Sequence, residues 1–263
     1  LNYQLGGNFA SLHAEGEGRI LGGVFSQTLL RQSEQNLYAS VTLENRLNQS
    51  SQLGTLNRLR DINTLTLGLN GDKVDHWLSI GRNTAGLQLS LGHLNLDLAS
   101  DKRSDAQSAR AQGDFVKFNF NLSRSEYLND DWQVSMAFNA QWAAKNLDSS
   151  QKFSLGGPNG VRAYPVNEGM GDSGWLLNIE LQRNLGYGFK GVLFSDTGAV
   201  EVNKQLWSGA DNASNHYLLS GVGMGLRWNH KQDWQASAMV GLPVTSNPAR
   251  DIYNHNSDGT RAG

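Results

Sequence analysis

The sequence predicts an all-β protein, a transmembrane antiparallel β-barrel with one long loop folded into its lumen. Three observations carry that expectation. Apolar and polar residues alternate with period two in about eleven segments. Several of these segments run to about ten residues or more, long for a soluble sandwich and right for a tilted membrane strand. The longest gap between them, roughly residues 144 to 174, is shaped by Gly and Pro yet has an Arg at its centre.

Composition removes other classes. The chain has 263 residues, a formal charge of -2, no Cys, 30 Gly and 4 Pro. Its length allows one large β-domain or two smaller ones. Near-neutral charge gives no footing for nucleic acid. Without Cys there are no disulfides and no thiolate metal sites, which suits passage through an oxidising envelope. No run of about 18 apolar residues exists, so no transmembrane helix is expected. The start, Leu1-Asn2-Tyr3, has neither the basic nor the apolar region of a signal peptide.

In chain order, Leu1, Tyr3, Leu5 and Phe9 share one face, and a less regular segment covers about 19 to 30. Next come the stripes Leu37–Leu43, Leu65–Leu69, Leu87–Leu91, Val116–Leu122, Trp132–Trp142, Leu177–Leu181, Leu218–Trp228 and Trp234–Leu242. These apolar faces carry no Asp, Glu, Lys or Arg, and charge sits opposite them at Glu44, Lys117, Glu180 and Arg227. A Lys or Arg on the lipid side costs about 2–4 kcal/mol at the bilayer midplane, which explains the segregation. Trp132, Trp142, Trp228 and Trp234 lie near stripe ends, as an interfacial girdle requires. A mean hydropathy of -0.46 fits strands that are wet on one side.

Tight turns at Leu128–Asp131, Leu185–Gly188 and His230–Asp233 alternate with long loops at Ser100–Arg110, 144 to 174 and near 204 to 215. Short turns on one side and long loops on the other describe an outer-membrane barrel. The four Pro fall in the long loop or the tail, so none interrupts a ladder. Bacterial single-chain barrels have even strand numbers, whereas this count is odd and no strand follows Pro243. Residues 1–263 are therefore expected to be one partial barrel domain, lacking its final strand and some of its front.

The long loop reads Phe153-Ser-Leu-Gly-Gly-Pro-Asn-Gly-Val-Arg-Ala-Tyr-Pro165. Gly156, Gly157 and Gly160 are expected to supply backbone angles other residues avoid. Val161, Arg162 and Tyr164 at its centre suggest order against a partner. That partner is sought on the strand holding Phe194-Ser-Asp-Thr-Gly198. Turning Asp196 inward brings Phe194 and Gly198 with it and leaves Ser195 and Thr197 outward, against the pattern of neighbouring strands. Such departures mark function. A carboxylate in a barrel wall needs a cation, and Arg162 can offer it a bidentate fork. Glycines 221, 223 and 225 on the next strand make room for the loop.

Leu-Gly-Gly-Pro-Asn-Gly-Val-Arg-Ala-Tyr followed by Phe-Ser-Asp-Thr-Gly resembles the two-partner secretion transporters of the outer-membrane assembly superfamily. Their loop motif is Val-Arg-Gly-Tyr, and the departure here is Ala163 in the Gly position, which asks for ordinary backbone angles. The hairpin Leu29-Leu-Arg-Gln-Ser33 opening onto Asn36-Leu-Tyr38 is similar to that family too. The resemblance implies a barrel of roughly sixteen strands preceded by periplasmic POTRA domains, both extending beyond this chain. It implies a monomeric outer-membrane pore, embedded in lipid, that moves a large unfolded adhesin or haemolysin to the bacterial surface. Arg162 would anchor on Asp196, Glu180 would be a second anchor, and Tyr164 and Val161 would pack near Phe194. No cofactor is implied.

Two other functions stand beside this one. A membrane-protein insertase of the same superfamily would have several periplasmic domains. A barrel enzyme such as a lipase needs a Ser beside a His on the lipid-facing surface, and no such pairing is found. The six His residues are scattered, with none at metal-ligand spacing. A bulge is expected at Gly92-His93, where the alternation shifts. Asp101 and Asp105 read as solvated loop charge.

Overall fold

A computed structural model describes residues 2–4, 14–210, 215–230 and 234–247. Eleven strands form one antiparallel sheet in chain order: β1 (Asn2–Gln4), β2 (Glu15–Arg31), β3 (Gln35–Gln52), β4 (Thr55–Asp75), β5 (Ile80–Leu96), β6 (Gly113–Tyr127), β7 (Trp132–Ala143), β10 (Ser173–Gly186), β11 (Phe189–Glu201), β12 (His216–His230) and β13 (Trp234–Pro243). Between β7 and β10 the long loop forms its own two-stranded ladder, β8 (Phe153–Ser154) with β9 (Met170–Gly171). A meander of neighbouring strands is the topology of an up-and-down barrel. β1 and β13 stand at the two ends of the sheet, with no ladder between them among the described residues. No helix among those residues is long and apolar enough to cross a membrane. The face expected for Leu1, Tyr3, Leu5 and Phe9 lies almost wholly outside the described residues, as do residues 231–233 and Pro248.

Alternation decides which way each side chain points. Leu43, Leu67, Leu89, Phe118, Met136, Leu193, Met224 and Val240 are exposed on the outer face. The inner face receives the long loop. The lipid band has a legible upper edge. Leu43, Leu65, Leu91 and Val116 are cross-strand partners in one row. The next outward row is Asn45, Asn63, His93 and Asp114, again in mutual register. Within one step the outer face turns from hydrocarbon to amide, imidazole and carboxylate. Asn45 Nδ2 donates to Asn63 Oδ1 at 2.9 Å, and His93 Nδ1 lies 2.6 Å from Asp114 Oδ1.

This row corrects the reading of Gly92-His93. The β4–β5 and β5–β6 registers run through it without a shift, so there is no bulge. What changes is the environment of each face. Above the row the outer face is mixed, with Asp61, Asn95 and Gln49 beside Leu47 and Leu59, while Leu94 and Leu96 on the inner face are buried with Ile62, Ala111, Phe115, Ala143 and Leu147. β3 and β4 continue past the row to a turn in which Leu53 and Gly54 both have positive φ. At about 3.4 Å per residue and a tilt of about 35–45°, the stretch from Asn45 to the turn projects roughly 20 Å beyond the lipid edge.

The connections at the other end are short, at 32–34, 76–79, 128–131 and 187–188. Near that end Arg183 lies over the Trp132 ring at 5.3 Å, and Phe189 stacks on Trp228 at 5.9 Å between centroids. The polar stretch after β5 is not a loop but a helix, α1 (Ala99–Gln107). Its Asp101 is buried, and Asp105 accepts from Ala111 N at 2.8 Å and Gln112 N at 3.1 Å. Neither is solvated loop charge, because both are spent holding the helix and the chain that follows it.

The two faces make a testable difference. Met224→Arg, in the middle of the outer stripe of β12, should destabilise the membrane-inserted barrel by about 2–4 kcal/mol. Asn121→Arg on the inner face of β6 should cost far less. Denaturant titration in lipid vesicles measures both, and equal losses would mean the faces are assigned wrongly.

Candidate functional site

Local backbone contacts give the long loop its own shape. Asp148 caps a single 3₁₀ turn, Ser149–Gln151, by accepting from Ser150 N. The β8–β9 ladder is extended by Leu155 N donating to Gly169 O at 3.0 Å and Gly156 N to Glu168 O at 2.8 Å. The tip then folds back, with Val161 N donating to Leu155 O at 2.7 Å. The three glycines serve this in two ways, not one. Only Gly157, with φ +106, needs the positive-φ region. At Gly156 a Cβ would strike Pro165 O, and at Gly160 it would strike Leu155 O, so these two are needed for close backbone approach.

At the tip, Arg162 Nε donates to Asp196 Oδ2 at 2.8 Å, Nη2 donates to Oδ1 at 2.7 Å, and the Arg162 backbone N donates to Oδ2 at 3.1 Å. Asn178 Nδ2 adds a further bond to Oδ1 at 2.7 Å. Asp196 is wholly buried, so these four donors are its substitute for water. Arg162 Nη1 also bonds Glu180 Oε1. Glu180 is held at the same time by Arg227, whose Nη1 and Nη2 reach its two oxygens at 2.9 and 3.0 Å, and by Gln182 Nε2 at 3.0 Å. The guanidinium carbon lies 3.7 Å from the Phe194 ring centre, a cation–π contact that closes one face of the fork.

The structure thus brings Arg162 together with Phe194, Asp196 and Glu180. It does not bring Val161 and Tyr164 to Phe194. They are buried with Leu155 against Leu176, Val200 and Leu219, nearer the long-loop end of the same wall. Phe194 is occupied by the guanidinium instead. The Tyr164 hydroxyl donates to Thr245 O, and burial holds its phenol above the usual range, so it remains a donor. Small residues in the wall let the loop in. A Cβ on Gly221 would stand 2.6 Å from Ala163 Cβ, and one on Gly198 would stand 2.6 Å from Leu155 Cδ2. Ala163 has no positive φ, in keeping with its side chain.

Two participants were not assigned a role from the sequence. Arg227 was visible as a lone inward charge after three alternate glycines, and Asn178 as the first of three inward polar residues, Asn178, Glu180 and Gln182. Arg227 does not announce its partner, because it reaches Glu180 on β10 past the intervening β11, whereas Asn178 is the direct cross-strand neighbour of Asp196. No group of three or more potential metal ligands occurs among the described residues.

Comparison with known proteins agrees with this geometry. Residues 2–228 match the family model described as "Haemolysin secretion/activation protein ShlB/FhaC/HecB". The chain is 30% identical over 254 residues to the heme/hemopexin transporter protein HuxB of Haemophilus influenzae strain 86-028NP, covering 94% of this chain and 44% of that protein. HuxB of the Rd strain is 29% identical over the same length and shares. The chain therefore spans less than half the length of these curated relatives. Among solved structures, CdiB from Escherichia coli superposes with a TM-score of 0.70 at 19% identity, covering 88% of this chain and 42% of that one. CdiB from Acinetobacter baumannii gives 0.68 at 16% identity, covering 90% and 40%. At such identities the likeness shows the fold, a barrel. The family model covers most of the sequence, and the chain belongs to the haemolysin secretion/activation family, the two-partner secretion transporters of the outer membrane of Gram-negative bacteria, which are transporters and not enzymes.

Proposed function

We propose that this chain is the barrel part of a longer transporter that passes a large unfolded exoprotein, of adhesin or haemolysin type, through the outer membrane. The observation that carries this is the family match joined to a lumen loop held on the wall by Arg162 and Asp196. An idle porin needs no such fixture. Beside the loop tip is a cavity of about 390 Å³ bordered by Ser125, Ser135, Asn139, Pro158, Asn159 and Arg162. Hydroxyls and amides of this sort offer weak, exchangeable hydrogen bonds to a passing backbone. The outer membrane has no ATP, so direction comes from the cargo, which folds outside and cannot slide back. The loop is the element that cargo must pass or displace. Periplasmic POTRA domains ahead of the barrel and further strands completing it belong to the same proposal.

Loop anchoring is expected to be needed for export and not for insertion. Arg162→Ala in the whole transporter should lower surface delivery of its exoprotein at least about tenfold, while the barrel still migrates as a folded species in unheated gels. Breaking one partner of a buried pair costs about 3–5 kcal/mol, less where the lumen is hydrated. Normal export by that variant would defeat the role given to Arg162. A fall in outer-membrane proteins generally, with the exoprotein unaffected, would favour an insertase.

A second variant reaches the same loop without altering charge. Gly221→Leu places a side chain where Ala163 sits, so the tip must lift from the wall. Export should fall as it does for Arg162→Ala. A Gly221→Leu protein that exports normally would show that the tip does not need its place against β12.

A further inference from the structure

We propose that Arg60 on β4 is a second anchor of the long loop, independent of the tip, which also fastens helix α1 as a lid over the β4–β7 side of the pore exit. Arg60 Nε and Nη2 reach the two oxygens of Asp101 on α1, each at 3.1 Å. Its Nη1 bonds Asp148, at the first turn of the long loop. All three side chains are largely buried, at 18% exposure for Arg60, 8% for Asp101 and 3% for Asp148. One guanidinium from the wall therefore holds one carboxylate from a surface element and one from the loop stem.

The helix gives this contact its weight. α1 reads Ala-Ser-Asp-Lys-Arg-Ser-Asp-Ala-Gln and has no apolar face. Its single buried residue is Asp101. Hydrophobic burial normally fixes a helix of this length, since isolated short helices are marginal in water. Here that driving force is missing, and what seats α1 is the pair with Arg60 and the Asp105 contacts to the chain behind it. Arg60 itself lies beyond the outer lipid edge, three positions past Asn63 and paired in register with Leu96. Ile62, Leu94, Leu96, Phe115 and Leu147 form the dry floor beneath it.

Further ties run from the stem to the remaining long connection. Asn146 Nδ2 donates to Ala109 O at 2.6 Å and to Gln205 O at 2.8 Å, and its Oδ1 accepts from Gln205 N at 2.7 Å. Asp172, wholly buried at the return of the loop, accepts from Leu147 N at 3.0 Å and Lys204 N at 2.8 Å and pairs with Lys152 at 3.0 Å. The stem is thus fixed to β4, to the chain following α1 and to the connection between β11 and β12, whereas the tip is fixed to β10 and β11 through Arg162, to Thr245 through Tyr164 and against β12 at Gly221. If the tip lets go, the stem remains. The exit can then widen on the β4–β7 side only when Arg60 releases α1.

This inference rests on the chain being a pore, and two readouts separate its failure from that of the export reading. The first needs no cargo. Lys102 and Arg103 are exposed on α1 and are trypsin sites once the helix lifts. On cells displaying the whole transporter, Arg60→Gln should speed cleavage after these residues at least about tenfold, because local opening governs proteolysis of a folded chain. The second is single-channel conductance in planar bilayers, which should rise at least about threefold with Arg60→Gln while the Arg162–Asp196 anchor is untouched. If Arg60→Gln does not insert, Asp101→Asn decides, since it frees α1 and leaves the Arg60–Asp148 pair in place; it should give the same faster cleavage. A folded Arg60→Gln or Asp101→Asn barrel with wild-type cleavage and conductance overturns the proposal.

Discussion

A carboxylate with no access to water must be answered by donors on the spot, and Asp196 is such a carboxylate. Much of this wall is arranged around that need. The strand carrying it gives up lipid-facing apolar residues at Ser195 and Thr197 so that Phe194, Asp196 and Gly198 can face the loop. The neighbouring strand supplies Asn178 as a neutral donor and Glu180 as a second acceptor for the same guanidinium. The strand on the other side loses its inward side chains at glycines 221 and 223. Remove the carboxylate and each of these choices becomes a cost without a return.

The rest of the sheet obeys a different constraint, set by solvent on each face. Hydrocarbon outside and water inside impose a period of two, and the same rule explains where it reverses. Once β5 passes the level of Leu91, the outer face meets water and the inner face meets the covered loop stem. His93 and Leu94 are each on the side expected from strict alternation. The polarity pattern has shifted, and the geometry has not. An abrupt change of phase in a barrel sequence is thus as good a sign of a membrane edge as of a bulge.

This distinction sets what could be read from the residues alone. The strands, their antiparallel order and the inward turn of Asp196 follow from local alternation and from the position of glycines, and all are legible. So is the partnership of the loop arginine with the Asp196 carboxylate, since charge in such a place leaves few options. What stayed hidden depends on contacts across several strands. Asp101 looks like any acidic surface residue until Arg60, 41 positions away in sequence, is seen beside it. Val161 and Tyr164 were expected at Phe194, yet the fold of the tip carries them past it to Leu176 and Leu219. Gly156 and Gly160 stand out in the sequence, but not for the backbone angles expected of them: each has a carbonyl pressed against its Cα, which no sequence pattern displays.

Two guanidiniums, Arg162 and Arg227, face two carboxylates, Asp196 and Glu180, in one connected group. The formal sum is zero. Such a quadrupole has a steep, short-ranged field, and ions in a hydrated lumen damp what remains beyond about 8 Å. A polypeptide threading past would meet neither a trap for its lysines nor a barrier to its aspartates. The fixture that grips the loop so firmly is therefore, to anything moving by at a distance, electrically almost silent.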